Sequence, residues 1–234
     1  MKTILINGCS YGLIFSHHLI KPFFNEKFGA SNIVNISKTG ASFDTQIKNL
    51  IDTLSVGDRP DLILIPITHM TRYDEPVSKK FDPALAYDRP LCVSMDPFKD
   101  EQNLNSRFES KFNLDFINSL LKTKTMLYND VTSFNNLLVK IITLSAFLKN
   151  NGYRYVIFDM CNNFKKFRDI NFNKTKLIQD DVNVMELFDF CGNEYMHQFS
   201  KGIPQEQKYF NHYEEHENIQ LLNYINSYII KNNI

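Results

Sequence analysis

A serine held in a glycine-flanked turn right after an apolar strand is the first feature of this sequence that can do chemistry. Residues Gly8-Cys9-Ser10-Tyr11-Gly12 follow the short β-branched run Lys2–Asn7 directly. A serine hydroxyl is a weak nucleophile until a base removes its proton. A tight turn can lift it above a sheet, beside backbone N–H groups that stabilise an oxyanion. The same pattern also serves as an ordinary strand-to-helix turn with serine as the helix cap. A base is available at the other end of the chain, where Asn211-His212-Tyr213-Glu214-Glu215-His216 precedes an apolar-periodic segment.

The pentapeptide fits the G-x-S-x-G elbow of α/β-hydrolases, but that elbow comes after several strands and only seven residues precede Gly8. A serine after the first strand instead resembles the first block of the SGNH (GDSL-like) hydrolase family, with Cys9 where the family commonly has aspartate. The resemblance implies a glycine after the second strand, and Ser37-Lys38-Thr39-Gly40 supplies it. It implies an asparagine after the third strand. The sequence there is Thr68-His69-Met70-Thr71-Arg72, so His69 stands nearest that slot. A neutral imidazole N–H can donate to an oxyanion; orienting the loop or binding substrate are the other roles open to His69. Arg72 is placed either to grip a carboxylate or to stabilise the loop.

The last block of the family carries the base, and His212 fits it by register. His216 falls one turn inside the following helix. The family's acid, three residues before the base, is replaced by Tyr209. The site is then a Ser-His dyad or an incomplete triad, with a backbone carbonyl or an acid such as Glu206 orienting the ring. The resemblance therefore implies Ser10 and His212 as catalytic residues and Ser10, Gly40 and His69 as the oxyanion hole. It implies no metal and no organic cofactor. The implied activity is that of an esterase on an O-acyl, above all O-acetyl, group of a carbohydrate-type or small ester. It covers residues 1–70 and 205–231 in short blocks.

Two other classes compete. The missing asparagine and aspartate also fit an inactive, SGNH-like binding or structural module. His212 and His216 match the H-x-x-E-H zinc pattern, although the only acid after His216 is the adjacent Glu217, and His197 is the remaining candidate ligand. Cys9 as nucleophile is a further alternative; the register favours Ser10, with Cys9 as a packing residue. His17 and His18 are read as surface or packing residues.

The elements that must position these groups follow from periodicity. Strands are expected at Lys2–Asn7, Asn32–Ile36, Asp61–Thr68 and Tyr153–Asp159. Helices are expected at Tyr11–Lys21, ending before Pro22; from the Ser42 cap to Leu54; over Val131–Asn150, stopped by Gly152; and from about Glu214 to Lys231. Alternating strands and helices predict a three-layer α/β/α sandwich around a central parallel sheet, the flavodoxin-like SGNH fold by resemblance. Sites in such sheets lie at the carboxyl ends of strands, which directs attention to residues 8–12, 37–42 and 67–72.

The 234 residues fit one domain, with residues 73–130 read as an insertion carrying a helix near Asn113–Leu121. Its aromatics Phe81, Tyr87, Phe98 and Phe108 either stack on sugar rings or pack a subdomain. Residues 160–210 read as irregular and polar. Lys plus Arg and Asp plus Glu each number 26, a balance that argues against nucleic-acid and acidic-membrane partners. The four cysteines include no C-x-x-C pair. The opening apolar run is too short for a secretory core, and no segment is read as a membrane span. The expectation is a cytoplasmic protein with reduced thiols, virion-associated if its origin is viral.

Overall fold

The computed structural model describes residues 2–9, 12–13, 15, 20–38, 41–70, 72–75, 91–94, 123, 126, 129–164, 167, 178–186, 189–198 and 215–234. Seven strands fall within them: β1 (Lys2–Ile6), β2 (Ala30–Asn35), β3 (Leu62–Ile67), β4 (Arg72–Glu75), β5 (Leu91–Ser94), β6 (Tyr155–Asp159) and β7 (Val184–Met185). The helices are α1 (Lys21–Phe28), α2 (Phe43–Val56), α3 (Asp130–Asn150), α4 (Gly192–His197) and α5 (Glu215–Asn232).

Five strands form one sheet in the order β2-β1-β3-β6-β7, every pair parallel. The register sets Ile4 against Leu62 and Ile63 against Tyr155. The α/β character expected from the sequence is therefore present. β3 reads LILIPI and is buried at every position, as a strand covered on both faces must be. Alternate residues feed two separate cores. Ile4, Ile6, Leu62, Leu64, Val156 and Phe158 pack with α1 and α5. Leu5, Ile63, Ile65, Ile67 and Ile157 pack with α2 and α3. Each such side chain contributes about 1.5–3 kcal/mol by burial. A one-residue slip of any strand would exchange the two faces.

Several expectations are corrected. Pro22 does not end a helix: it stands in the first turn of α1, where its missing N–H has no intrahelical acceptor to lose. Gly29, at φ +62°, closes that helix. Most of the Tyr11–Lys21 segment lies outside the described residues. The strand expected at Asn32–Ile36 begins earlier, at Ala30. At the start of the expected insertion β4 and β5 pair as an antiparallel ribbon; the helix expected near Asn113–Leu121 lies outside the described residues. The segment read as irregular contains the edge strand β7 and the short helix α4. Two-residue strands carry no periodicity to detect.

The remaining helices match closely. Ser42 caps α2, its Oγ accepting from the Thr45 N–H at 3.1 Å. Gly152 follows α3 at φ +69°. By length and composition alone α3, with 21 residues, is apolar enough to cross a membrane. Its apolar stripe of Phe134, Leu137, Leu138, Ile141, Leu144 and Leu148 is buried on the sheet, which accounts for that composition.

Candidate functional site

The sheet order reverses between β1 and β3, because the chain leaves β1 for the edge strand β2 and then crosses back. The crevice beyond the carboxyl ends at such a reversal is where open α/β sheets bind ligands. The serine turn follows β1 and the His69 loop follows β3, the two strands that meet at this reversal.

The serine turn is built on buried backbone. The Asn7 N–H donates to the Leu64 carbonyl at 3.0 Å, and its Nδ2 donates to the Gln46 carbonyl at 2.7 Å. The Gly12 N–H donates to the Cys9 carbonyl at 2.9 Å. Both glycines of the motif are explained by close approach. A Cβ on Gly8 would lie 2.6 Å from the Pro66 ring, and one on Gly12 would collide with Ser37 Oγ. Ser10 itself lies outside the described residues.

The loop after β2 is stitched to this turn. The Gly8 N–H donates to Ser37 Oγ at 2.8 Å, and the Gly8 carbonyl accepts from the Lys38 N–H at 3.1 Å. Asn35 Nδ2 donates to the Gly12 carbonyl at 2.7 Å, while Asn35 Oδ1 accepts from the Ser37 N–H at 3.0 Å. The Ala41 N–H donates to the Lys38 carbonyl at 3.1 Å. Gly40 lies outside the described residues, but Gly8, Cys9 and Gly12 on one side and Ser37, Lys38 and Ala41 on the other share one hydrogen-bonded frame.

The third loop holds His69, half-buried between the buried residues Thr68 and Met70. Arg72 Nη1 donates to Thr68 Oγ1 at 3.0 Å, and the Arg72 N–H donates to the His69 carbonyl at 3.1 Å. Of the two roles open to Arg72, loop support therefore has an observed contact.

Two residues that sequence reasoning missed complete this region. Asp159 closes β6 and is fully buried. Its Oδ1 accepts from the Cys161 N–H at 2.9 Å and Asn163 Nδ2 at 2.8 Å; its Oδ2 accepts from the Asn163 N–H at 2.6 Å and the Phe164 N–H at 3.3 Å. Burial pushes its carboxyl up to about 6, and those four bonds oppose the shift. Asn163, also buried, accepts from the Met70 N–H at 2.7 Å and donates to the Thr68 carbonyl at 3.0 Å. An aspartate ending an apolar strand was the available signal, at the one central carboxyl end not singled out from the sequence.

The raised Asp159 carboxyl has a consequence for stability. A carboxyl whose folded pKa exceeds its unfolded one stabilises the fold most below the unfolded value, and that contribution is lost as pH rises through about 6. Asp159→Asn removes the titration and turns an NH₂ group toward N–H donors. Wild type is expected to be the more stable protein at pH 4.5. The Tm margin should narrow toward pH 8 by about 2 kcal/mol, roughly 4–8 °C. Thermal unfolding of both proteins across this range checks it; a margin that widens or stays constant contradicts it.

Cys9 is fully buried and hydrogen-bonded to Cys161. That bond, followed by burial, holds the Cys161 thiol well above its ordinary value. Thiols in such surroundings are poor nucleophiles, which favours packing over catalysis for Cys9. Cys9, Cys161 and Cys191 are thiols rather than disulfides.

His212, Glu206, Tyr209, His17 and His18 lie outside the described residues. His216 is in the first turn of α5 and His197 ends α4; their side chains are not described. The direction of α5 is fixed by three contacts. Tyr224 donates to Glu186, beyond the carboxyl end of β7, at 2.8 Å, whereas Tyr228 donates to the Val182 carbonyl, before β7, at 2.9 Å. Arg154, which precedes β6, donates to the carbonyl of Ile234. The helix runs antiparallel to the sheet and opens at the carboxyl side, the side of the serine turn. Glu217 and Asn218 are buried in its first turn.

Among the described residues, no group of three or more His, Cys, Asp or Glu side chains is placed to hold a metal ion. Compared with known proteins, the chain matches no family model and no curated protein.

Proposed function

We propose that the chain is a serine ester hydrolase of the SGNH type, with a three-layer α/β/α fold, acting on O-acyl groups of a carbohydrate-type or small ester. The observation that carries this reading is the hydrogen-bonded frame joining the turn that contains Ser10 to the loop that contains Gly40. It lies at the carboxyl edge where the sheet order reverses, with the His69 loop leaving the next strand. The start of α5 on the same edge supports a base delivered from the segment just before it.

In the proposed reaction His212 takes the Ser10 proton as Ser10 Oγ attacks the ester carbonyl. The N–H groups of Ser10 and Gly40, with His69, hold the negative oxygen. The tetrahedral species collapses to an acyl-enzyme, and the alcohol leaves with the proton returned by His212. Water, activated by the same imidazole, then releases the acid. Arg72 braces the third loop through Thr68. Tyr209 at the usual aspartate position gives a Ser-His dyad or an incomplete triad, which lowers rate without removing the nucleophile.

A fluorophosphonate probe tests the reading directly. The intact protein is expected to be labelled stoichiometrically, and peptide mapping should find the adduct on Ser10. A folded protein that stays unlabelled is an inert binding or structural module instead, and labelling on another residue moves the nucleophile.

A further inference from the structure

The peptide that carries His69 is held from both sides by a single side chain. Asn163 takes the N–H of Met70 on its Oδ1 at 2.7 Å and gives its Nδ2 to the carbonyl of Thr68 at 3.0 Å. The amide orientation is dictated by these partners, because a peptide N–H only donates and a carbonyl only accepts. We propose that Asn163 is a positioning residue for the ester hydrolysis, setting His69 at the mouth of the serine turn from an anchor on β6. The inference rests on the serine-hydrolase reading.

The anchor is rigid. The Asn163 N–H and Nδ2 both donate to Asp159, which ends a strand paired through its length with β3. A chain of bonds thus runs from the strand end through Asp159 and Asn163 to the two residues bracketing His69. Oxyanion donors act only when held against the place where charge develops, and small displacements forfeit much of their effect. A loop that merely had to turn the chain needs no buried carboxylate, whose desolvation is costly. A donor loop does need its peptide locked in one orientation.

The test is a double-mutant cycle on p-nitrophenyl acetate hydrolysis, using wild type, Asn163→Ala, His69→Ala and the double variant. Asn163→Ala is expected to lower kcat about 10- to 100-fold with KM changed less than about threefold, and His69→Ala to do much the same. If Asn163 acts through His69, the double variant is slower than the worse single by less than about threefold. An Asn163→Ala kcat within about twofold of wild type, or losses that multiply in the double variant, overturns the proposal.

Should Asn163→Ala not fold, Asn163→Asp replaces it. That variant keeps the acceptor for Met70 but sets a second carboxyl against Asp159. Its rate relative to wild type should rise as pH falls from 8 to 5.5 and protonation of the new carboxyl restores a donor toward Thr68; a flat ratio overturns the proposal. A wild type that neither hydrolyses the ester nor reacts with fluorophosphonate removes the hydrolase reading and this inference together. An active wild type with insensitive Asn163 variants removes this inference alone.

Discussion

Ser10→Ala is expected to reduce p-nitrophenyl acetate hydrolysis by about 10³-fold or more while Tm moves by less than about 2 °C. The size of the rate loss follows from the role assigned: without Oγ no acyl-enzyme can form, and only the oxyanion donors and substrate binding remain. The small thermal effect follows from where the frame is made. The turn is held by the Gly12 N–H to the Cys9 carbonyl, by the two bonds of Gly8, and by Asn35 to the Gly12 carbonyl. None of these uses the Ser10 hydroxyl. Steady-state kinetics with the unfolding curve of the same sample separates the two effects. Retained activity in a folded Ser10→Ala protein would move the nucleophile elsewhere.

His212→Ala should cost nearly as much, about 10³-fold, whereas His216→Ala should stay within about fivefold of wild type. The distinction is one of register. His216 is part of α5, one position before the buried Glu217 and Asn218, and its backbone is committed to the helix. His212 precedes that helix in sequence, and α5 begins on the carboxyl side of the sheet. A base must approach and release a proton through a full cycle, which a loop residue can do without disturbing helix packing. Parallel kinetics on the two variants decides the matter. Equal large losses, together with zinc retained by the purified wild type, would favour the H-x-x-E-H metal reading.

Much of the scaffold was legible because it is written in local pattern. β3 is a continuous apolar run, and burial on both faces demands that of a central parallel strand. Ser42 announces α2 because its side-chain oxygen meets a donor only three residues away. The buried stripes of α3 and α5 repeat at helical spacing since each helix covers one face of the sheet. Pro22 misled, because proline is compatible with either the first turn of a helix or its exclusion, and only the following residues decide which. β7 was invisible because its two residues are strand by virtue of their partner β6, not of any propensity.

The sequence by itself determined the strand and helix alternation, the two apolar faces, the caps, and the placing of a serine and a glycine just beyond consecutive strands. Tertiary structure alone decided that the turns around them are tied together, that both motif glycines are required by Pro66 and Ser37, and that Asn163, itself anchored by Asp159, reaches 90 or more residues back to hold the loop of His69. The physical reason is range. Periodicity, capping and turn formation are settled among neighbours a few residues apart. A buried amide such as that of Asn163 takes its meaning from the donors and acceptors that the sheet order brings to it, and that order is a property of the whole chain.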